Sequence, residues 1–334
     1  MKWKNIKQGY VISIVSIITT LIIITLTITI ANQKDRIDII QSFKEKDKIT
    51  QQFLASELVL MEILQKQINL FSSLDKLNEK KLTFITPEEG KVSINLKISD
   101  NCFNVNSLLY KTYSGDLDVN HIEYNRAINI ITQLGLNPQI IENYIDWIDK
   151  NQTNKNDQSE EKLYISSNLP WRPRNNFMVS NEELLMIPGI NNIQKEIQKY
   201  FCVNYLSRKF NIRMLNEIQL SLFLPFLSRD ESKLILQNIN KDLWENSKQN
   251  QNSSVITKNL NVSDLRNEIE QVTGKMISTK DYEYLNNVAL DSKSILAEIK
   301  LQTKEKKQWN SIAKFEIGLN NKVKLIYRFG PSLN

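Results

Sequence analysis

An unbroken uncharged run from Tyr10 to Gln33 constrains this chain more than any other feature of it. About 20 apolar residues, rising about 1.5 Å each as a helix, cross the hydrocarbon core of a bilayer, and this run is long enough. Lys2, Lys4 and Lys7 precede it, and Lys34 and Asp35 close it. Lysines before the run and a mixed-charge segment after it favour a cytoplasmic N-terminus and an exported C-terminal body. An ordinary secretory signal has a shorter apolar core that ends in small residues, and no A-x-A pattern ends this one.

Two readings of the segment stay open. One is an uncleaved signal anchor. The other rests on Gly9, which stands between the basic leader and the apolar run. That placement looks like the site at which a prepilin peptidase cuts a type IV prepilin or pseudopilin, leaving Tyr10 as the first residue of an intact apolar helix. Past the run, Ile37, Ile40, Phe43, Ile49, Phe53, Leu54, Leu58, Leu60, Leu64 and Ile68 recur at roughly helical spacing, with no Gly or Pro before Pro87. The spacing predicts one helix from the membrane to about Phe71.

The exported body can bury one sizeable core or two small ones, since 41% of the 334 residues are hydrophobic and 24% charged. Of the formal charge of +6, three positive charges sit in the leader, and no dense Lys/Arg stripe remains for nucleic acid. His121 is the only histidine, which excludes His-based zinc clusters and leaves little for a nucleophilic triad. Cys102 and Cys202 can pair in an oxidising compartment, but two cysteines that far apart impose no framework, so their pairing stays open.

Strand patterns flank a helical middle. KLTFITPEEGKVSINLKIS reads as two strands about a Pro-Glu-Glu-Gly turn, with Leu82, Phe84, Val92, Ile94, Leu96 and Ile98 alternating. Near the other end Ile295, Ala297, Ile299 and Leu301 alternate, then Ala313, Phe315 and Ile317, then Val323, Leu325 and Tyr327. The middle opens with Phe103-Asn104-Val105-Asn106-Ser107-Leu108-Leu109, where an Asn caps a helix start, and Phe210-Asn211-Ile212-Arg213-Met214-Leu215 echoes it.

A helix through Ile140, Ile141, Tyr144, Ile145 and Trp147 delivers Asp146 and Asp149 to its C-terminal end, where a polar loop follows. With Asp149 as the first position, oxygen donors Asn151, Thr153, Asp157 and Glu160 fall at the spacing of a calcium loop, and Glu161 stands beside the last. Asn154 takes the place of the usual Gly, and Asn tolerates the left-handed conformation. A solvated Asn/Asp loop explains the same spacing. Leu184 to Ile190, LLMIPGI, resembles the hairpin of DNA-binding helix-hairpin-helix modules, but it lacks a basic surround. Asp146 and Asp149 have no catalytic partners in the pattern, which argues against acid/base chemistry.

Together, Asp146-Trp147-Ile148-Asp149, the acidic loop, Tyr164, Asn175-Asn176-Phe177, Glu183-Leu184 and Ile187-Pro188-Gly189 resemble the minor pseudopilin K of type II secretion, the general secretion pathway protein K family. The second Asn-Val-Asn phrase of that family stands here as Asn211-Ile212-Arg213, and the Gly-Ala-Glu that ends its acidic loop as Ser159-Glu160-Glu161. The resemblance implies an α+β fold: a pilin-like long N-terminal transmembrane helix, a small antiparallel sheet and a large inserted all-α domain. The expected division is a leader over 1–9, a transmembrane helix over 10–32, the periplasmic half of that helix over 33–75, strands over 76–100, the insertion over 101–290 and closing strands over 291–334. It further implies a non-enzymatic subunit of the bacterial inner membrane, single-pass with a periplasmic body. Such a subunit caps a pseudopilus that exports folded proteins across the outer membrane. Its expected partners are other minor pseudopilins, the prepilin peptidase and the inner-membrane secretion platform, with no nucleic acid. The expected sites are Gly9 and Tyr10 for processing, and Asp149, Asn151, Asp157, Glu160 and Glu161 for calcium. A minor pilin of a type IV pilus and a signal-anchored periplasmic binding domain are the alternatives.

Overall fold

A computed structural model describes the backbone except at residues 1–2, 72–73, 75–76, 87–89, 151–163, 166–169, 191, 250–261, 305, 319 and 334. Within helices and strands the side chains of 3–15, 17, 32, 70–71, 240–249 and 333 also lie outside the description. Met1–Ala55 forms one compact unit and Ser56–Asn334 another. The first is helical, part of α1 (Trp3–Phe71), as the spacing predicts. Among the described residues no helix is long and apolar enough to cross a membrane. Within the expected span over 10–32, the side chains of 10–15, 17 and 32 lie outside the description.

In the second unit, β1 (Lys81–Ile85), β2 (Lys91–Ile98), β9 (Ser294–Gln302), β10 (Gln308–Ile317) and β11 (Val323–Leu333) form an antiparallel sheet in that order. Both strand patterns predicted from alternation are present, and the long connection between β2 and β9 holds the insertion. Ile94 lies opposite Ile299, Leu96 opposite Ala297, and Ala297 opposite Ala313, so the alternating apolar residues share one face. Arg328 lies opposite Ala313 and shares that face, and its guanidinium pairs with the buried Glu57 carboxylate of α1. The helix therefore covers this side of the sheet, burying Leu60, Leu64 and Ile68 at helical spacing. Gln65 ties the same helix to the sheet's last turn, donating to Asn321 O and accepting from Val323 N at 3.0 Å each. Each buried aliphatic side chain contributes about 1.5–3 kcal/mol.

The register of β10 with β11 shifts between Asn310 and Ile312. Gly330 sits at this irregularity with φ +100°, and a Cβ there would lie 2.7 Å from Asn310 O. Only glycine meets both demands.

The insertion departs from the all-α expectation. Besides α2 (His121–Gln133), α3 (Gln139–Ile148), α4 (Gln194–Tyr200), α5 (Glu217–Phe223), α6 (Arg229–Gln249), α7 (Val262–Thr273) and α8 (Thr279–Leu285), it contains short strands. β3 (Phe103–Asn104) pairs in parallel with β6 (Phe201–Cys202), and β7 (Phe210–Asn211) with β8 (Val288–Ala289). β4 (Leu109–Lys111) and β5 (Leu117–Val119) form a hairpin. Two- and three-residue strands are too short to carry a period, so helix spacing dominates the sequence there.

The two Phe-Asn phrases build the same device. Asn104 accepts from Asn106 N and caps a 3-10 turn over Val105–Leu108, while Asn211 accepts from Arg213 N and caps Ile212–Met214. Each phrase opens a lobe that closes on its own parallel bridge. At the base of the first lobe Cys102 and Cys202 form a disulfide, which resolves the open pairing. Closing a loop of that length stabilises by about 4–5 kcal/mol in the chain-entropy picture.

Candidate functional site

The motif residues converge at the C-terminal end of α3. This helix is strongly amphipathic in sequence and buries Ile140, Ile141, Tyr144, Ile145, Trp147 and Ile148 in the core of the insertion. Burial in that apolar setting drives the Tyr144 phenol far above its ordinary pKa. Asp146 and Asp149 are buried as well, Asp149 as the C-cap.

Glu183 organises the surroundings from the 3-10 turn Asn181–Met186. Its carboxylate accepts from Trp147 Nε1 at 3.3 Å, Arg174 Nη1 at 3.0 Å, Val179 N at 2.8 Å and Ser180 N at 3.2 Å. The Ser180 and Glu183 side chains form a reciprocal capping box. Asn175, in the left-handed region at φ 55°, donates its N–H to Trp147 O at 3.0 Å. Tyr164 returns to the same tryptophan, with ring centroids 5.7 Å apart. Asn106 exchanges hydrogen bonds with the Met178 backbone, 2.9 Å in each direction, and so fastens this corner to the first Phe-Asn phrase. The Asp-Trp-Ile-Asp, Asn-Asn-Phe and Glu-Leu motifs are thus parts of one buried base, from which the acidic loop leaves at Lys150 and to which it returns at Tyr164.

Of the expected calcium ligands, Asp149 stands at this base, while Asn151, Asp157, Glu160 and Glu161 lie outside the described residues. Among the described residues no three His, Cys, Asp or Glu side chains converge as a metal cluster. Two buried carboxylates sit at the negative end of a helix dipole, where positive charge is favoured. Of the processing residues, Gly9 and Tyr10 are helical in backbone within α1, and their immediate surroundings lie outside the description. His121 is exposed at the start of α2.

Sequence reasoning missed a second buried polar centre, at the sheet. Lys314 and Glu316 of β10 have no exposed surface. Lys314 Nζ donates to Val203 O and Asn204 Oδ1 and lies 3.8 Å from Glu316. Burial pushes the Lys314 ammonium down to about 8, against the opposing charges of Glu316, Asp100 and Glu182. The available signal was a pair of opposite charges, two residues apart, on the non-apolar face of a strand.

The class defined by these features is an α+β protein whose five-stranded antiparallel sheet is backed by a long N-terminal helix and interrupted by a two-lobed insertion. Residues 101–204, the first lobe with its acidic-loop base, match the family described as Type II secretion system (T2SS), protein K. This is the family that the motifs indicate. The fold is similar to a solved chain of the GspK-GspI-GspJ complex from the enterotoxigenic Escherichia coli type 2 secretion system. That likeness has a TM-score of 0.56 at 15% identity and covers 85% of this chain and 99% of that one. No curated protein matches the sequence.

Proposed function

We propose that the chain is a non-enzymatic minor pseudopilin of a type II secretion system, anchored in the inner membrane by residues 10–32 and cleaved after Gly9. The observation that carries this reading is the protein K match over 101–204, set in a fold shared with nearly the whole of a solved chain from a K-I-J complex. By extension from that complex, its partners are other minor pseudopilins. The apolar character of the N-terminal helix supports the anchor: Leu21, Ile22, Ile23, Ile24, Leu26, Ile28 and Ile30 are all exposed, around the whole circumference of the helix.

Bulk and charge support a position at the filament tip. An insertion of this size obstructs a further subunit above it. No Asp or Glu precedes Asp35, so the apolar stretch brings no acid to neutralise a neighbour's amine within a bundle. The exposed side of α1 between Ile40 and Leu64, which includes Leu58 and Val59, is the surface offered to partners. Calcium in the loop after Asp149 would screen the buried carboxylates at its base, and Asn151, Asp157 and Glu160 or Glu161 complete the proposed ligand set.

Mass spectrometry of the mature N-terminus tests the class. A methylated Tyr10 is expected, and Gly9→Leu should leave the precursor uncut. An intact Met1 in the wild-type chain would instead assign the protein to signal-anchored tethers. Loss of protein export on deletion, with surface pili intact, separates this reading from a type IV pilin.

A further inference from the structure

The insertion leaves the sheet from β2 and returns into β9, and these strands are paired neighbours, with Ile98 opposite Ile295. Just beyond them Ser99 N still donates to Ser294 O at 3.1 Å, and Lys293 N to Asp100 Oδ2 at 2.6 Å. Two connections side by side fix a line, about which the insertion can turn unless a third point holds it. A third point is the crossing between the two lobes, residues 203–207, which lies on β10, with Glu182 of the first lobe also near Lys314 and Tyr327.

There Glu316 gathers consecutive backbone donors, accepting from Tyr205 N at 2.9 Å, Leu206 N at 2.6 Å and Ser207 N at 3.4 Å. Lys314 holds Val203 O and Asn204 Oδ1 just upstream. From the other side Asn104 fastens the same segment to the first lobe. It accepts from Asn204 N at 3.0 Å and donates to Asn204 O at 2.8 Å and Ser207 O at 3.0 Å. Buried groups without partners are costly, so the crossing keeps this shape on the sheet, where Glu316 takes three amide hydrogen bonds from it and Lys314 two of its acceptors, beside the counter-charges of Glu316, Asp100 and Glu182.

We propose that Lys314 and Glu316 act as a latch that closes on residues 203–207 and fixes the orientation of the helical insertion on the sheet, and that opening it lets the insertion swing about its paired connections. The device stands on the geometry of the chain and does not depend on the secretion reading.

Both cysteines are in the disulfide, so new cysteines can be labelled selectively. Spin labels at Tyr113→Cys, on the exposed β4–β5 hairpin tip, and at Ile85→Cys, on the exposed end of β1, report the angle between insertion and sheet. In the full chain in detergent, the distance distribution should be narrow. Glu316→Ala should broaden it about twofold or more. Lys314→Met combined with Glu316→Leu should broaden it too, since an apolar pair fills the space but accepts nothing from the 205–207 amides. If Glu316→Ala fails to fold, Asn204→Ala, which removes one Lys314 acceptor, takes its place and should also broaden the distribution. A distribution as narrow as that of the wild type in whichever of these variants fold would overturn the latch.

Discussion

Lys314 shows how a residue reads differently in sequence and in space. In the sequence it alternates with Ala313 and Phe315, so it falls on the face that strands of this kind give to water. In the fold that face lies under residues 203–207, which no local pattern announces, because they come from more than a hundred positions away. Glu183 stands in the sequence only as part of the Glu-Leu motif, and its bond to Trp147, 36 positions away, has no local pattern to announce it. Burial of Lys314 has a pH signature. The folded ammonium gives up its proton near 8, whereas the unfolded chain keeps it to near 10.5. Between these values the unfolded state binds more protons, so this residue adds stability as pH rises through the window. The unfolding free energy of the wild type relative to Lys314→Met, from denaturant titrations of the full chain, should therefore increase from pH 8 to pH 10. A flat or falling difference would mean that the lysine is not buried as a cation.

At the scale of elements, long periodic segments were legible and short ones were not. The helix to Phe71 and the strands of the sheet follow from 3.6- and 2-residue periods sustained over many positions. The paired Phe-Asn phrases show as an echo, but their parallel two-residue bridges leave no period to detect. The β10–β11 irregularity is equally silent in sequence, although it imposes a strict demand on Gly330. Gly330→Ala combines a disfavoured φ with a backbone clash and should cost about 1–3 kcal/mol, measured as a lower denaturation midpoint. An unchanged midpoint would show that the strands relax around the added methyl.

For the whole molecule, the motifs of the first lobe proved to be one buried base, and the loop proposed to hold calcium leaves from it. Calcium that binds only the folded chain stabilises it by mass action, about 2.7 kcal/mol at a hundredfold excess over Kd. The melting temperature of the full chain in detergent should rise in millimolar calcium relative to chelator, and Asp149→Asn should abolish most of the rise. No shift in the wild type would leave the loop a solvated Asn/Asp segment.

The central claim, that this is a single tip subunit among other minor pseudopilins, is tested most directly by crosslinking in cells. A cysteine at Leu58, exposed on the side of α1 proposed to meet partners, should give heterodimers with other minor pseudopilins and none between copies of this chain. A ladder of self-crosslinked species would place the chain repeatedly along the shaft and contradict the account.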